Sequence, residues 1–153
     1  MAIIISIAAL MLSSFVFAYN HRTAKRDLMI RIYDQLLAAD RQQGRRVLFE
    51  LCEYGRKPED LCEDDFRSAN HALAWLDLMA MLYDKRYIPR RDSMALWGIT
   101  TSRIVHAAEQ SGFLQFRDNQ QGSLLWPYVR KFAAAARAKG FVGKAPSVKR
   151  SES

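Results

Sequence analysis

Residues 2–19 contain no charged side chain, and residues 2–39 contain neither proline nor glycine. The first absence removes the main cost of placing the stretch in lipid, and the second removes the residues that would break a helix running through it. Cysteine is scarce, with Cys52 and Cys62 alone. There is no Gly-rich phosphate loop, no Gly-x-Ser-x-Gly elbow and no His-Glu-x-x-His, so no recognised signature of phosphate-loop, serine-hydrolase or zinc-peptidase chemistry is present. Strand-like alternation of apolar and polar residues is also missing, which leaves helices to build the fold.

The uncharged stretch is long enough to matter. As a helix it reaches about 27 Å, close to the ~30 Å hydrocarbon core of a bilayer. Its Ile, Leu, Phe and Val residues together favour insertion by roughly 3 to 5 kcal/mol. Val16, Phe17 and Ala18 before Tyr19 offer a small-residue cleavage pattern, the competing reading being a secretory signal peptide. Against cleavage, no Lys or Arg precedes the apolar run, the run exceeds the usual length, and the basic residues follow it. A retained transmembrane anchor over residues 1–20 is therefore expected. Arg22, Lys25 and Arg26 just after it hold that side in the cytoplasm, with the N-terminus outside. They also face the membrane interface, where anionic lipid attracts them. Ala2, Ser6, Ala9 and Ser13 line one face of the span, where small side chains allow close packing against another span or a second copy.

The remainder suits one helical domain, residues 21–140, followed by a basic tail, residues 141–153, with too little apolar surface to fold. The net charge of +7 is uneven: residues 61–89 are slightly acidic, whereas residues 90–153 carry most of the excess. Contact with the bilayer explains basic residues near the span. No zinc module or RNP-like pattern accompanies them, which argues against nucleic acid. The two cysteines lie on the reducing side and are expected as buried free thiols. With no ligand spacing around them or around His21, His71 and His106, neither a metal nor another cofactor is expected.

The apolar spacing then gives the helices in order. Leu28, Met29, Ile32, Tyr33, Leu36 and Leu37 form one buried face that continues the span without a break. Asp40 can cap a second helix, weakened at its first turn by Gly44, carrying Val47, Leu48, Leu51 and Cys52 and stopping at Gly55. Pro58 starts a short turn. A third helix spans residues 63–84, its opening acids Glu63, Asp64 and Asp65 matching the positive end of the helix dipole. Asn70 and Asp77 lie near its apolar stripe, either as a structural polar contact or as a ligand or partner site; if Asp77 faces inward it needs an Arg or several hydrogen-bond donors.

A fourth helix begins at Pro89 or, with Asp92 or Ser93 as cap, slightly later, and stops near Gly112. Residues 113–123 read as a loop with a brief apolar lid at Phe113, Leu114 and Phe116. A last helix carries Leu124, Leu125, Tyr128, Val129, Phe132 and Ala136, either preceded by a separate turn or beginning with Pro127. The fold class is thus all-α: an N-terminal transmembrane helix, continuous with the first helix of a four- to five-helix cytoplasmic bundle.

The basic-flanked helix of residues 26–37, the Ala69-Asn70 step with Trp75-Leu76-Asp77-Leu78 behind it, and Tyr87-Ile88 followed by Leu96-Trp97-Gly98 carry a resemblance. Over residues 20–135 the chain resembles a group of bacterial single-span membrane proteins with a small cytoplasmic helical domain of unknown function. That resemblance implies a bacterial inner-membrane location and supplies no mechanism. The expected function is a membrane-anchored interaction or scaffold protein. The alternatives are a small accessory subunit packing through its span and, with least support, an enzyme or ligand-binding domain around Asn70 and Asp77.

Overall fold

The computed structural model describes residues 2–141; within the first helix, the side chains of residues 2–5, 8 and 9 lie outside the description, as do residues 142–153. Among the described residues there are six α-helices: α1 (Ala2–Leu37), α2 (Ala39–Tyr54), α3 (Glu63–Asp84), α4 (Arg90–Gln110), α5 (Phe113–Gln121) and α6 (Pro127–Ala138). A 3-10 turn at Pro58–Asp60 links α2 to α3.

Helix α1 is continuous, as its lack of breakers requires. Leu10, Phe15 and Phe17 are 69%, 70% and 74% exposed, while further along Ile32 and Leu36 are buried in the bundle. Its N-terminal half therefore stands free of the domain. Among the described residues no helix is long and apolar enough to cross a membrane. The uncharged stretch that prompts that expectation includes residues 2–5, 8 and 9, whose side chains are outside the description.

The junction between α1 and α2 is a sharp break at Ala38, extended between two helices. The end of α1 is covered by α2: Arg41 Nη1 donates to the carbonyl and side chain of Gln35, and Gln42 Nε2 donates to the Leu37 carbonyl. The Arg41 guanidinium also lies 4.3 Å from the Trp75 ring of α3. Carbonyls orphaned at a helix end are thus satisfied by the next helix rather than by solvent. Asp40 is not the cap; α2 starts from Ala38 with no side-chain cap.

Helix α3 is the centre of the bundle, packed between α2 and α6, while α4 lies against both α2 and α6. Gly44, expected to be a weak point, is the reason α2 and α3 approach so closely: a Cβ there would land on the Ser68 carbonyl oxygen and lie 2.9 Å from Ala72 Cβ. Leu48, Leu73, Leu76, Met79, Ile104, Val129 and Phe132 fill the space between these helices.

The segment expected to be a loop with an apolar lid is helix α5. Gly112, at φ 74°, ends α4 and opens α5, and Gly122, at φ 65°, closes it. Phe113 and Leu114 are buried. Phe113 packs on Phe66 at 5.6 Å and stacks with Trp126 at 6.4 Å. Leu124 and Leu125 precede the last helix and do not extend its stripe; Leu124 is exposed, and α6 starts with Pro127 at its first position. Trp126 takes a left-handed conformation, φ 53°, unusual for a bulky residue. Asp118 holds this connection, accepting from the Leu125 N–H at 2.8 Å and from Arg130 Nη2 at 2.7 Å.

At the other end of α6, Gly140 at φ 81° turns the chain back, and the Phe141 N–H donates to the Ala136 carbonyl at 3.0 Å. This is a Schellman stop. It tucks Phe141, the first residue of the expected tail, against the core beside Gly98. Cys52 and Cys62 are both free, but neither is fully buried as expected: Cys52 is half-buried and Cys62 exposed.

Candidate functional site

Asn70 and Asp77 both lie on helix α3 and differ in their hydrogen bonding. The Asp77 carboxylate accepts the Val129 N–H at 2.8 Å, from a residue 52 positions further along the chain. Val129 belongs to the first turn of α6, whose own preceding residue, Trp126, gives no side-chain cap. Asp77 therefore caps α6 from a neighbouring helix, satisfying a donor that would otherwise be orphaned. Burial raises its pKa above the ordinary carboxylate value, opposed by the Val129 and Tyr128 N–H groups and by the Arg130 charge. The donors expected for an inward-facing carboxylate are these. Asn70 Oδ1, by contrast, is buried with no hydrogen-bond partner.

Among the other expected positions, Arg22 and Arg26 are exposed and Lys25 is half-buried on α1. Ser6 and Ser13 are exposed on its N-terminal half, and the Ala2 and Ala9 side chains lie outside the description. Ser14 Oγ donates back to the Leu10 carbonyl at 2.9 Å and Thr23 Oγ1 to the Tyr19 carbonyl at 3.1 Å, so both hydroxyls are satisfied within the helix. No group of three or more His, Cys, Asp or Glu among the described residues is placed to hold a metal ion.

The most distinctive surface lies where three helix ends meet. Helix α3 ends in a Schellman turn: the Tyr87 N–H donates to the Leu82 carbonyl at 2.9 Å and the Arg86 N–H to the Tyr83 carbonyl at 3.2 Å. Arg86 occupies the left-handed position, φ 63°, that glycine usually fills. Helix α4 starts directly after it with Arg90 and Arg91, and the Schellman stop of α6 brings Lys139 and Phe141 to the same corner. Between them is a hollow of about 560 Å³, lined by Tyr83, Met94, Ala95 and Phe141 with Arg90, Arg91 and Lys139. A smaller hollow of about 180 Å³ adjoins it, sharing Tyr83 and Arg90 and reaching Lys131 and Phe132.

The charges in this corner are not equivalent. Asp84 pairs with Lys131 at 2.8 Å, and that hydrogen bond holds its carboxyl below the usual range. Arg90 Nη2 donates to the Asp84 carbonyl at 3.1 Å, and its guanidinium lies 5.3 Å from the Tyr83 ring, so it both covers the end of α3 and stays over an aromatic face. Arg91 and Lys139 are exposed at the rim. The first turn of α4 holds Arg90 and Arg91 with Asp92, so two cations and one acid stand at the positive end of its dipole, where acids are favoured and cations are not. That placement is the signal by which sequence alone could have marked the corner: Arg90-Arg91 directly after Pro89 contradicts the electrostatics of the helix it starts. Phe141 has no such signal, because only the turn at Gly140 brings it back.

No family model, curated protein or solved structure matches the chain.

Proposed function

We propose that the protein is a membrane-tethered adaptor, in which α1 enters the bilayer of a bacterial inner membrane and the helical bundle meets a protein partner on the cytoplasmic side. The observation that carries this reading is the N-terminal half of α1. Apolar side chains at Leu10, Met11, Leu12, Phe15, Val16 and Phe17 are exposed around the helix. A helix that is hydrophobic on all sides belongs in lipid or inside another protein. The uncharged sequence continues to residue 2, and the internally bonded Ser14 and Thr23 hydroxyls lower the cost of lipid contact. Arg22, Lys25 and Arg26 at the end of the stretch support an inward-facing domain.

Membrane fractionation tests the tether. The full chain should stay with the membrane through alkaline carbonate washing, and a version with Leu10 and Phe15 both replaced by Lys should be released. Release of the unaltered chain would remove the reading. The continuous helix and its capped junction with α2 give the tether mechanical sense, since a rigid connection sets how the bundle stands on the surface.

A further inference from the structure

The hollow between the ends of α3, α4 and α6 is built for a ligand that is negatively charged and apolar at once, and we infer that it receives a short acidic peptide segment of the partner protein, one carrying an aromatic or large aliphatic side chain among its carboxylates. The inference names the partner class and the surface for the adaptor reading and rests on it; it does not depend on α1 entering lipid.

Tyr83, Met94, Ala95 and Phe141 line the hollow together with Arg90, Arg91 and Lys139, so apolar contact and positive charge lie side by side. A volume of about 560 Å³ falls within the ~300–1,000 Å³ of ordinary ligand clefts. Asp84 is held by Lys131, and Asp92 follows Arg91 in the first turn of α4, so the cations Arg90, Arg91, Lys131 and Lys139 still outnumber the acids at this corner. Arg90 is fixed by the carbonyls of α3, which presents a guanidinium already in place for a carboxylate. Arg91 is exposed at the start of α4, an electrostatically unfavourable place that the neighbouring Asp92 offsets only in part.

Charge excludes the chain's own tail as the occupant, because Lys144, Lys149 and Arg150 outnumber Glu152. Shape argues against a bilayer, since a hollow of about 560 Å³ takes a side chain with its flanking carboxylates, which a flat sheet of headgroups does not supply.

The test is fluorescence anisotropy with the full chain in neutral phosphatidylcholine nanodiscs. The probes are labelled short peptides in which glutamates surround one Phe or Leu, with matched peptides carrying glutamine for glutamate. The glutamate peptides should bind and weaken as salt is raised, and the glutamine peptides should not. Arg91→Glu suits the α4 dipole, and Lys139→Gln places no acid at the end of α6, so both variants should keep their helical signal and melting. Each should lower peptide affinity by about tenfold, whereas Lys57→Glu on the far connection should leave it unchanged. Absence of glutamate-peptide binding overturns the inference, as does binding that ignores Arg91 and Lys139. Binding to phosphatidylserine vesicles that needs Arg91 and Lys139 while peptides fail overturns it in favour of lipid. Partner capture that survives both substitutions without peptide binding overturns the groove and leaves the adaptor reading standing.

Discussion

Arg86 stands in the left-handed conformation that closes α3, with both Schellman hydrogen bonds formed around it. A side chain in that region costs roughly 1–2 kcal/mol that glycine avoids. Arg86→Gly should therefore stabilise the fold by about 1 kcal/mol, after the entropy glycine adds to the unfolded chain. Urea unfolding of the detergent-solubilised chain reads this as a higher midpoint. Gly44 gives the opposite sign: Gly44→Ala would put a methyl group on the Ser68 carbonyl, and the α2–α3 crossing would have to open, costing about 1–3 kcal/mol. The pattern of small residues at a crossing is invisible without the partner helix. That is why Gly44 reads in the sequence as a weakness and in the structure as a requirement.

Asp77 and Asp84, both on α3, respond to acid in opposite directions. Burial raises the Asp77 pKa, so its contribution to stability is full below the ordinary value of 3.8 and is lost as pH rises through the raised value. The hydrogen bond to Lys131 lowers the Asp84 pKa, so its contribution is present above 3.8 and is lost as pH falls through the lowered value. Asp77→Asn should gain more stability than the unaltered chain on going from acid to neutral pH, and Asp84→Asn should lose less on acidification. Urea midpoints measured on both sides of this window check the two signs.

At the scale of elements, α3 and α5 mark what apolar spacing can and cannot reveal. Residues 63–84 are recognisable because a stripe, an acidic first turn and a flanking turn all agree, and α3 has those bounds. Helix α5 has nine residues and too few repeats to show a period. Phe113, Leu114 and Phe116 thus resemble a lid. Gly112, which stops α4, and Gly122, which stops α5, were the usable signal, since left-handed glycine commonly ends a helix. As an integral helix, α5 contributes Phe113 to the ring cluster with Phe66 and Trp126, and Phe113→Ala should cost about 3–5 kcal/mol. A surface lid would lose far less, so the melting temperature of this variant separates the two. The candidate groove was less legible than the helices, because its parts come from three helix ends and only the Arg90-Arg91 pair departs from local expectation.

For the whole molecule, the unbroken course of α1 makes orientation and tethering a single problem. If the adaptor reading holds, the free half of α1 lies in lipid and the half that carries Ile32 and Leu36 is fixed to the bundle. The domain must then lie on whichever side the end of the span is retained. Arg22, Lys25 and Arg26 lie just beyond the stretch, where positive charge biases this most strongly. Positive charge within about 15–20 residues of a span's end governs its orientation, while acidic residues contribute little. Moving the positive charge to the other end, with Arg22, Lys25 and Arg26 changed to Gln and lysines added before Ala2, should reverse the span. A fluorescent protein fused after Ser153 should be bright on the unaltered chain and dark on the reversed one, and an alkaline phosphatase fusion should show the inverse. Phosphatase activity from the unaltered fusion would place the bundle and its cationic groove on the outer side, where a cytoplasmic partner could not reach them.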